Sequence, residues 1–178
     1  MTTSRLDGMT AAVVGGGALG ETIEDCLRRS GAAPWLKTPS PATPTEPADI
    51  LVFVAATAVD FAEAVAVGLE AAFTHARSVL GPMRRRGHGA IVFCATRQPA
   101  AGDCPIAAGI AGGLATLARS IAYQYGADGI RVNVVLPGVL ASDADIAAAI
   151  LLLASPDAVF MTGTCLPIGQ PEPSRWPG

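Results

Sequence analysis

The sequence predicts an α/β fold with a doubly wound parallel sheet of about six strands. Short apolar runs alternate with helical segments along most of the 178 residues, as expected for repeated strand–helix units. Two of these runs, ADILVFVAA and AIVFCAT, are almost continuously apolar, which is typical of strands buried on both faces of a parallel sheet. The length suits one sizeable core, so we expect residues 1–178 to form a single domain.

The first half of the chain supplies the first strands and an unusual connection. MTAAVVGGG predicts a short strand that ends in glycines, and a helix follows with apolar residues at Leu19, Ile23 and Leu27. APWLK predicts a second strand. Residues 38–48 then contain four prolines, which exclude a helix or a central strand. An extended segment of this kind spans roughly 30 Å. We therefore predict a crossover that replaces one strand–helix unit, with a surface loop as the alternative.

The second half continues the alternation of strands and helices. ADILVFVAA predicts the third strand, and a long helix follows over about 61–86. AIVFCAT and IRVNVVLPG predict two further strands, separated by a helix over about 105–125. Ser142 precedes two acidic residues and an apolar run, which indicates a helix N-cap. GTCLPIG predicts the last strand, and we expect residues 170–178 to be a C-terminal tail.

Charge, apolar runs and cysteine spacing argue against several classes of protein. The formal net charge is −3, so we expect no nucleic-acid partner. No apolar run reaches the ~20 residues of a membrane span, and the N-terminus lacks the apolar core of a signal peptide. We therefore expect a cytoplasmic protein without a membrane partner. The four cysteines are far apart, without a CxxC pair or a nearby histidine, which indicates free thiols and no metal site.

A glycine motif at the first strand–helix turn suggests a nucleotide site. Gly15, Gly17 and Gly20 have the spacing of a dinucleotide fingerprint in the required context. The helix N-terminus there could receive a pyrophosphate. The acidic ribose partner expected at the end of the second strand is missing, and Lys37 stands there instead. Lys37 could favour the 2′-phosphate of NADP, although a single lysine is also typical of a surface charge.

The incomplete motif leaves two interpretations of these glycines open. They could hold NAD(H) or NADP(H), or they could be a tight turn without a bound nucleotide. Because the acidic partner is missing, we expect no bound cofactor.

Several segments together resemble one enzyme family. VVGGGALG, DILVFVAA, MRRRGHGAIVFCAT, GIRVNVVLPG and DIAAAILLLASPDAVFMTGTCLPIG occur in the order typical of the short-chain dehydrogenase/reductase (SDR) family. The resemblance implies a Rossmann-like fold and a catalytic Tyr, a Lys four residues later, a Ser and an Asn. Carried over by spacing, it puts Ala107 at the Tyr position and Ala111 at the Lys position. Gly68 falls at the Asn position and Thr96 near the Ser.

Residue counts support this interpretation. The chain has one lysine, Lys37, and two tyrosines, Tyr123 and Tyr125. No shift of register produces a Tyr and a Lys one helical turn apart. The segment PGVLASDADIAAA also passes directly from turn to helix, where the resemblance implies a substrate lid. We therefore expect no catalytic residues of the family type.

The resemblance implies a role for the segments that remain. Family members pair their two long helices into a four-helix interface, and these correspond to residues about 61–86 and 105–125. We therefore predict a pseudoenzyme, a non-catalytic subunit that pairs with an active SDR enzyme as a hetero-oligomer or with itself. One alternative is a minimal NAD(P)-dependent oxidoreductase acting through Thr96, or a non-redox enzyme using Asp103, Arg97 or His75. The other is a nucleotide-sensing module.

Overall fold

A single sheet of six parallel strands organises the protein. The computed structural model describes residues 6–37, 47–58, 60–97 and 104–169. Within these ranges the strand order is β2-β1-β3-β4-β5-β6. The strands are β1 (Thr10–Val14), β2 (Ala33–Lys37), β3 (Ile50–Val54), β4 (Gly89–Cys94), β5 (Ile130–Pro137) and β6 (Cys165–Ile168). The predicted fold class is confirmed, and each predicted strand forms.

The helices also follow the predicted order. They are α1 (Ala18–Arg29), α2 (Phe61–Ala64), α3 (Ala71–Arg86), α4 (Pro105–Tyr125) and α5 (Asp143–Ala154). A π-helical segment, Val65–Glu70, joins α2 to α3 without a break, so residues 61–86 form the predicted long helix. The π segment itself was not predicted, because one extra residue per turn barely changes the apolar spacing of a short stretch.

Two helical layers cover the sheet. Ile23 and Leu27 of α1 pack with Ile146 and Ile150 of α5 in one buried cluster. The helices of the 61–86 segment and α4 pack against the other face. Strands β3 and β4 are buried at every position, as their apolar runs predict. Each fully buried Val, Leu, Ile or Phe side chain contributes ~1.5–3 kcal/mol.

The position of β2 agrees with the predicted crossover. β2 pairs with β1 at the edge of the sheet, and β3 pairs with the opposite side of β1. β1 therefore lies between the two strands that the predicted connector joins. Most of the predicted connector, residues 38–46, and the predicted tail, 170–178, lie outside the described residues.

Asp49 holds the chain where it re-enters the sheet. The Thr10 amide and hydroxyl both donate to Asp49 Oδ2, at 2.8 and 2.7 Å, and Arg86 Nε lies 3.4 Å from Oδ1. Burial alone would raise the pKa of this carboxyl. The hydrogen bonds from Thr10 and the charges of Arg86 and His88 outweigh burial, so the pKa is lowered.

Both ends of α5 are stabilised by side chains. The Asp145 amide donates to Ser142 Oγ, and the Ser142 amide donates to the Asp145 carboxylate. This capping box confirms the predicted N-cap. At the other end, Arg131 of β5 donates to carbonyl oxygens of the last turn, including Leu153 at 2.7 Å and Ser155 at 3.0 Å. Burial lowers the pKa of Arg131.

The predicted free thiols are confirmed, since all four cysteines are unpaired. No group of His, Cys, Asp or Glu that could hold a metal occurs among the described residues. Residues Pro105–Asp128, which comprise α4 and the 3₁₀ turn after it, are long and apolar enough to cross a membrane by length and composition alone. That helix packs on the sheet through Ile110, Leu114 and Ile121, and 33% of its most apolar window is buried.

Candidate functional site

A crevice opens at the carboxyl ends of the central strands. Its volume is about 480 Å³, and its lining includes Gly16, Gly17, Thr57, Thr96, Arg97 and Pro137. These residues follow β1, β3 and β4 or end β5. Ligands of open parallel sheets bind at this edge, beside the strand where the chain reverses its winding direction. The crevice is therefore the candidate site.

The predicted glycine motif forms the turn between β1 and α1. Gly15, Gly16 and Gly17 all have positive φ, at 83°, 88° and 51°, which side chains of L-residues rarely adopt. A Cβ at Gly16 would lie 2.9 Å from the Gly20 amide nitrogen and 3.2 Å from Val54 Cβ. Gly16 and Gly20 thus allow close packing of the turn on α1 and β3.

The sequence interpretation missed Gly16. It assigned the motif to Gly15, Gly17 and Gly20, all of which lie at this turn. The structure places Gly16 and Gly17 in the crevice wall. The signal was available, because three consecutive glycines indicate that the middle one also needs an unusual backbone conformation.

Lys37 lies at the same edge of the sheet as the glycine turn. It ends β2 and pairs in register with Val14, the last residue of β1. Its side chain lies outside the described part of the chain.

A small cavity beside the crevice brings two predicted positions together. Thr96, which follows β4, and Ala107, in the first turn of α4, both line a space of about 50 Å³. Cys104 and Ile110 line it as well. Ala111 lies one turn further along α4 and is 9% exposed. The positions carried over as Ser, Tyr and Lys therefore lie in one region.

Gly68 lies beside the same region, in the helical segment that packs against α4. It lies in the π-helical segment and is buried. A Cβ at Gly68 would lie 3.0 Å from Ile110 Cγ2, on the turn of α4 between Ala107 and Ala111. A larger residue here would require Ile110 to move. The π segment distorts the helical backbone at the position where the resemblance places the Asn. Segments of this kind occur frequently at functional sites.

Arg97 is a crevice residue that the sequence interpretation named only for a non-redox alternative. Its Nε donates to the Ala141 carbonyl at 3.2 Å, and its Nη2 bonds to the Asp143 carboxylate. Ala141 and Asp143 lie at the start of α5. Arg97 thus links the residues after β4 to the start of α5 at the mouth of the crevice. This is the place where the chain passes directly from the turn after β5 into α5.

The other residues of the non-redox alternative gain less support. His75 is 1% exposed, and its ring centroid lies 6.0 Å from that of Phe53 in the core, so it does not line the crevice. Asp103 lies outside the described residues.

Cys94 is a separate candidate nucleophile at the end of β4. It is fully buried, and burial raises its thiol pKa to about 12. It therefore stays protonated and is a poor nucleophile.

Comparisons with solved structures place the fold among SDR proteins. An oxidoreductase of the short-chain dehydrogenase/reductase family from Burkholderia thailandensis superimposes with a TM-score of 0.79 at 23% identity, covering 90% of this chain and 91% of its own. A gluconate 5-dehydrogenase from Burkholderia cenocepacia J2315, solved with NADP and tartrate, gives 0.78 at 20% identity, covering 93% and 95%. A ribose-5-phosphate isomerase from Brucella melitensis 16M gives 0.81 at 21%, covering 94% and 93%. At these identities the likeness shows the fold alone.

A family model gives the assignment. Comparison with curated proteins gives no match. The family model described as Enoyl-(Acyl carrier protein) reductase matches residues 50–145, more than half of the 178 residues. That span runs from β3 through β4 and α4 to the start of α5, and it includes every position carried over from the resemblance. With the parallel sheet and the glycine turn, this match shows that the chain belongs to the short-chain dehydrogenase/reductase family.

Proposed function

We propose that this protein is a non-catalytic SDR subunit, which pairs through the 61–86 helix and α4 with another subunit of the same fold. One observation carries the proposal. The small cavity that holds the carried-over Ser and Tyr positions is lined by Thr96, Thr57, Cys104, Ala107 and apolar neighbours. A methyl group cannot deliver a proton to a carbonyl, and an aliphatic hydroxyl such as that of threonine is a poor general acid.

The backbone positions of the tyrosines and of the lysine, as far as the structure describes them, lie far from Ala107. Tyr123, the nearer tyrosine in sequence, lies 16 residues beyond Ala107 on α4, about 24 Å along a helix, and is 95% exposed. Lys37, the single lysine, ends β2, three strands away from β4. Three strand spacings are about 14 Å. These separations support a crevice without the acid–base pair.

The exposed helix faces support a pairing role. Phe61 and Phe73 are 60% and 48% exposed on the 61–86 helix. On α4 the exposed residues include Ala108, Gly109 and Gly112, whose small size permits close approach of another helix. Gly lowers helix stability by ~1 kcal/mol relative to Ala, and close packing against a partner would offset that cost. The partner is an active full-length relative or a second copy.

One observation favours a second candidate function, a minimal NAD(P)-dependent oxidoreductase. The 480 Å³ crevice lies beside the glycine turn, and ligand sites commonly have volumes of ~300–1,000 Å³. The solved gluconate 5-dehydrogenase carries NADP, so this chain could take the same cofactor. A crevice that binds the nucleotide without turnover would instead make the protein a nucleotide sensor.

The test is to purify the tagged protein from its native source and weigh its complexes. We expect it to be recovered with a second SDR-fold subunit. Gly112→Leu, on the exposed face of α4, should release that subunit. Ala148→Leu, on the exposed face of α5 and across the sheet, is the matched control and should not. Recovery of the protein as a monomer under all conditions would overturn the proposal.

Calorimetry with NADH and NADPH separates the candidates further. The non-catalytic proposal expects no saturable binding in the micromolar range. Binding that is abolished by Gly16→Ala, which puts a Cβ 2.9 Å from the Gly20 nitrogen, would support the second candidate or the sensor. Turnover of a carbonyl substrate by the isolated chain then decides between those two.

A further inference from the structure

A second cavity lies at the edge of the sheet opposite the crevice. Its volume is about 400 Å³, within the ~300–1,000 Å³ that is common for ligand sites. Gly89 and Ile130, the first residues of β4 and β5, both line it. Because the six residues of β4 rise about 3.3 Å each, the cavity lies about 17 Å from the crevice. A molecule bound here would occupy a site separate from the crevice.

Most of the wall of this cavity is apolar. The apolar side chains come from the starts of three strands and from the segment between α5 and β6, and they are Met9, Ala90, Ile130, Ala154, Pro156 and Val159. Pro156 and Val159 are exposed to solvent. Part of the apolar wall is therefore open in the subunit, and covering it with an apolar ligand favours binding.

The charged side chains of the lining have one sign. Arg131 carries a permanent positive charge, and His88 adds a second when it is protonated. No aspartate or glutamate is among the described residues that line the cavity. Asp49 lies 4.0 Å from His88 Nδ1, but it is already paired with Arg86. The end of α5 that Arg131 caps carries only about half a negative charge, so the cavity favours an anion.

Two hydrogen-bond donors of the lining are available to a ligand. Arg131 has five N–H donors. Nη1 and Nη2 bond to four carbonyl oxygens within residues 153–158, and Nε bonds to no described residue. Thr162 Oγ1 accepts from the Val132 amide at 3.1 Å, and the hydrogen of this hydroxyl has no acceptor within the described part of the chain. A carboxylate accepts hydrogen bonds from both kinds of donor.

We propose that this cavity binds a small apolar carboxylate, whose hydrocarbon part covers the apolar wall and whose carboxylate accepts from Arg131 and Thr162. The bound molecule links the segment between α5 and β6 to the starts of β4 and β5. The site uses neither the crevice nor the helix faces of the proposed pairing. Its test can therefore fail while the proposed function stands.

Octanoate is the probe ligand, and octanol, which has the same chain length and no charge, is its matched control. Calorimetry with the full chain should give saturable octanoate binding with a Kd of about 1 mM or below. Octanol should bind at least about tenfold more weakly, because it lacks the charge that the arginine attracts. Absence of saturable octanoate binding, or equal binding of octanol, would overturn the proposal.

Amide NMR shifts locate the bound octanoate. The amide signals of Gly129 and Thr162 should move during the titration, and those of Gly16 and Gly17 in the crevice wall should not. Shifts confined to the glycine turn would place octanoate in the crevice and would overturn the proposal.

A pair of substitutions at Val159 tests the charge preference. Val159→Asp puts a negative charge in the lining and should raise the Kd for octanoate about threefold or more, whereas Val159→Lys should not raise it. Val139→Asp, the same substitution after the opposite end of β5, is the control and should bind as the wild type does. Val159 and Val139 are 59% and 43% exposed, so these variants should fold, and thermal unfolding checks this. Unchanged binding in Val159→Asp, or equal weakening by Asp and Lys, would contradict the assigned site.

Discussion

Two adjacent glycines of α4 provide a matched pair of substitutions. A Cβ at Gly112 would have no atom within 4 Å, whereas a Cβ at Gly113 would lie 2.7 and 2.8 Å from the two terminal methyl carbons of Leu69. Gly112 therefore points to the exposed face, and Gly113 faces the 61–86 helix. One added methyl group at each position probes the outer face and the inner contact separately.

The expected changes in the free energy of unfolding differ between the two variants. Alanine gains ~1 kcal/mol of helix propensity over glycine at either position. At Gly112 nothing in the subunit opposes this gain, so we expect Gly112→Ala to stabilise the isolated subunit by up to about 1 kcal/mol. At Gly113 the new methyl group must displace Leu69, and overpacking costs about 1–3 kcal/mol. Gly113→Ala should therefore unfold more easily than Gly112→Ala by about 1–3 kcal/mol, or about 2–4 °C in Tm for each kcal/mol.

Thermal unfolding in dilute solution, together with light scattering at rising concentration, measures both effects. The proposed pairing adds a second expectation, because the Gly112 methyl group intrudes on the face that meets a partner. Gly112→Ala should then raise the subunit's own Tm while weakening association. Equal stability of the two variants would refute the assigned contact between α4 and Leu69. Unchanged association in Gly112→Ala, and also in Gly112→Leu, would refute a role for this face in pairing.

Three further predictions concern the fold. Asp49→Asn should destabilise the protein by about 1–3 kcal/mol in urea unfolding. The Asp49 pKa is lowered in the fold, so the stabilisation by its carboxylate is full above the unfolded-state pKa and is lost as the pH falls below about 4. The free energies of unfolding of wild type and variant should therefore converge at low pH. A difference between them that does not change with pH would contradict this. Cys94, with its pKa raised to about 12, should react with a thiol reagent only after unfolding, and labelling of the native protein at this residue would contradict its burial. Arg131→Met leaves several carbonyls of the α5 end unsatisfied and should cost about 2–3 kcal/mol, whereas Arg28→Met, which removes an exposed pair with its neighbour four residues earlier, should cost less than about 0.5 kcal/mol.

Most of the fold could be predicted from the sequence because the buried strands are nearly continuous apolar runs. ILVFV and AIVFC can be buried on both faces only in a covered parallel sheet, and both are. The Ser142 cap and the end of α4 at Tyr125 were also predicted, since capping and glycine signals are local. The π segment before α3 was not, because one extra residue per turn barely changes the apolar spacing of a short stretch.

The site was predictable in position and less so in detail. The spacing carried over from the SDR resemblance placed Thr96 and Ala107 together, and the structure has both in one small cavity. The importance of Gly16 was missed, because the motif template assigns meaning to the glycines on either side. The bond between Arg97 and Asp143 could not be predicted, since 46 residues separate the two and only the tertiary fold brings them together.

Hydride transfer by the purified chain alone is the decisive measurement. NADH and NADPH oxidation would be followed with a panel of ketones and aldehydes, and the reverse reaction with the corresponding alcohols. The proposed non-catalytic role, with Ala107 and Ala111 where the resemblance implies Tyr and Lys, predicts the same rate for the chain as for buffer and for Thr96→Val. Saturable turnover by the isolated wild-type chain, at rates well above both controls, would contradict the non-catalytic role.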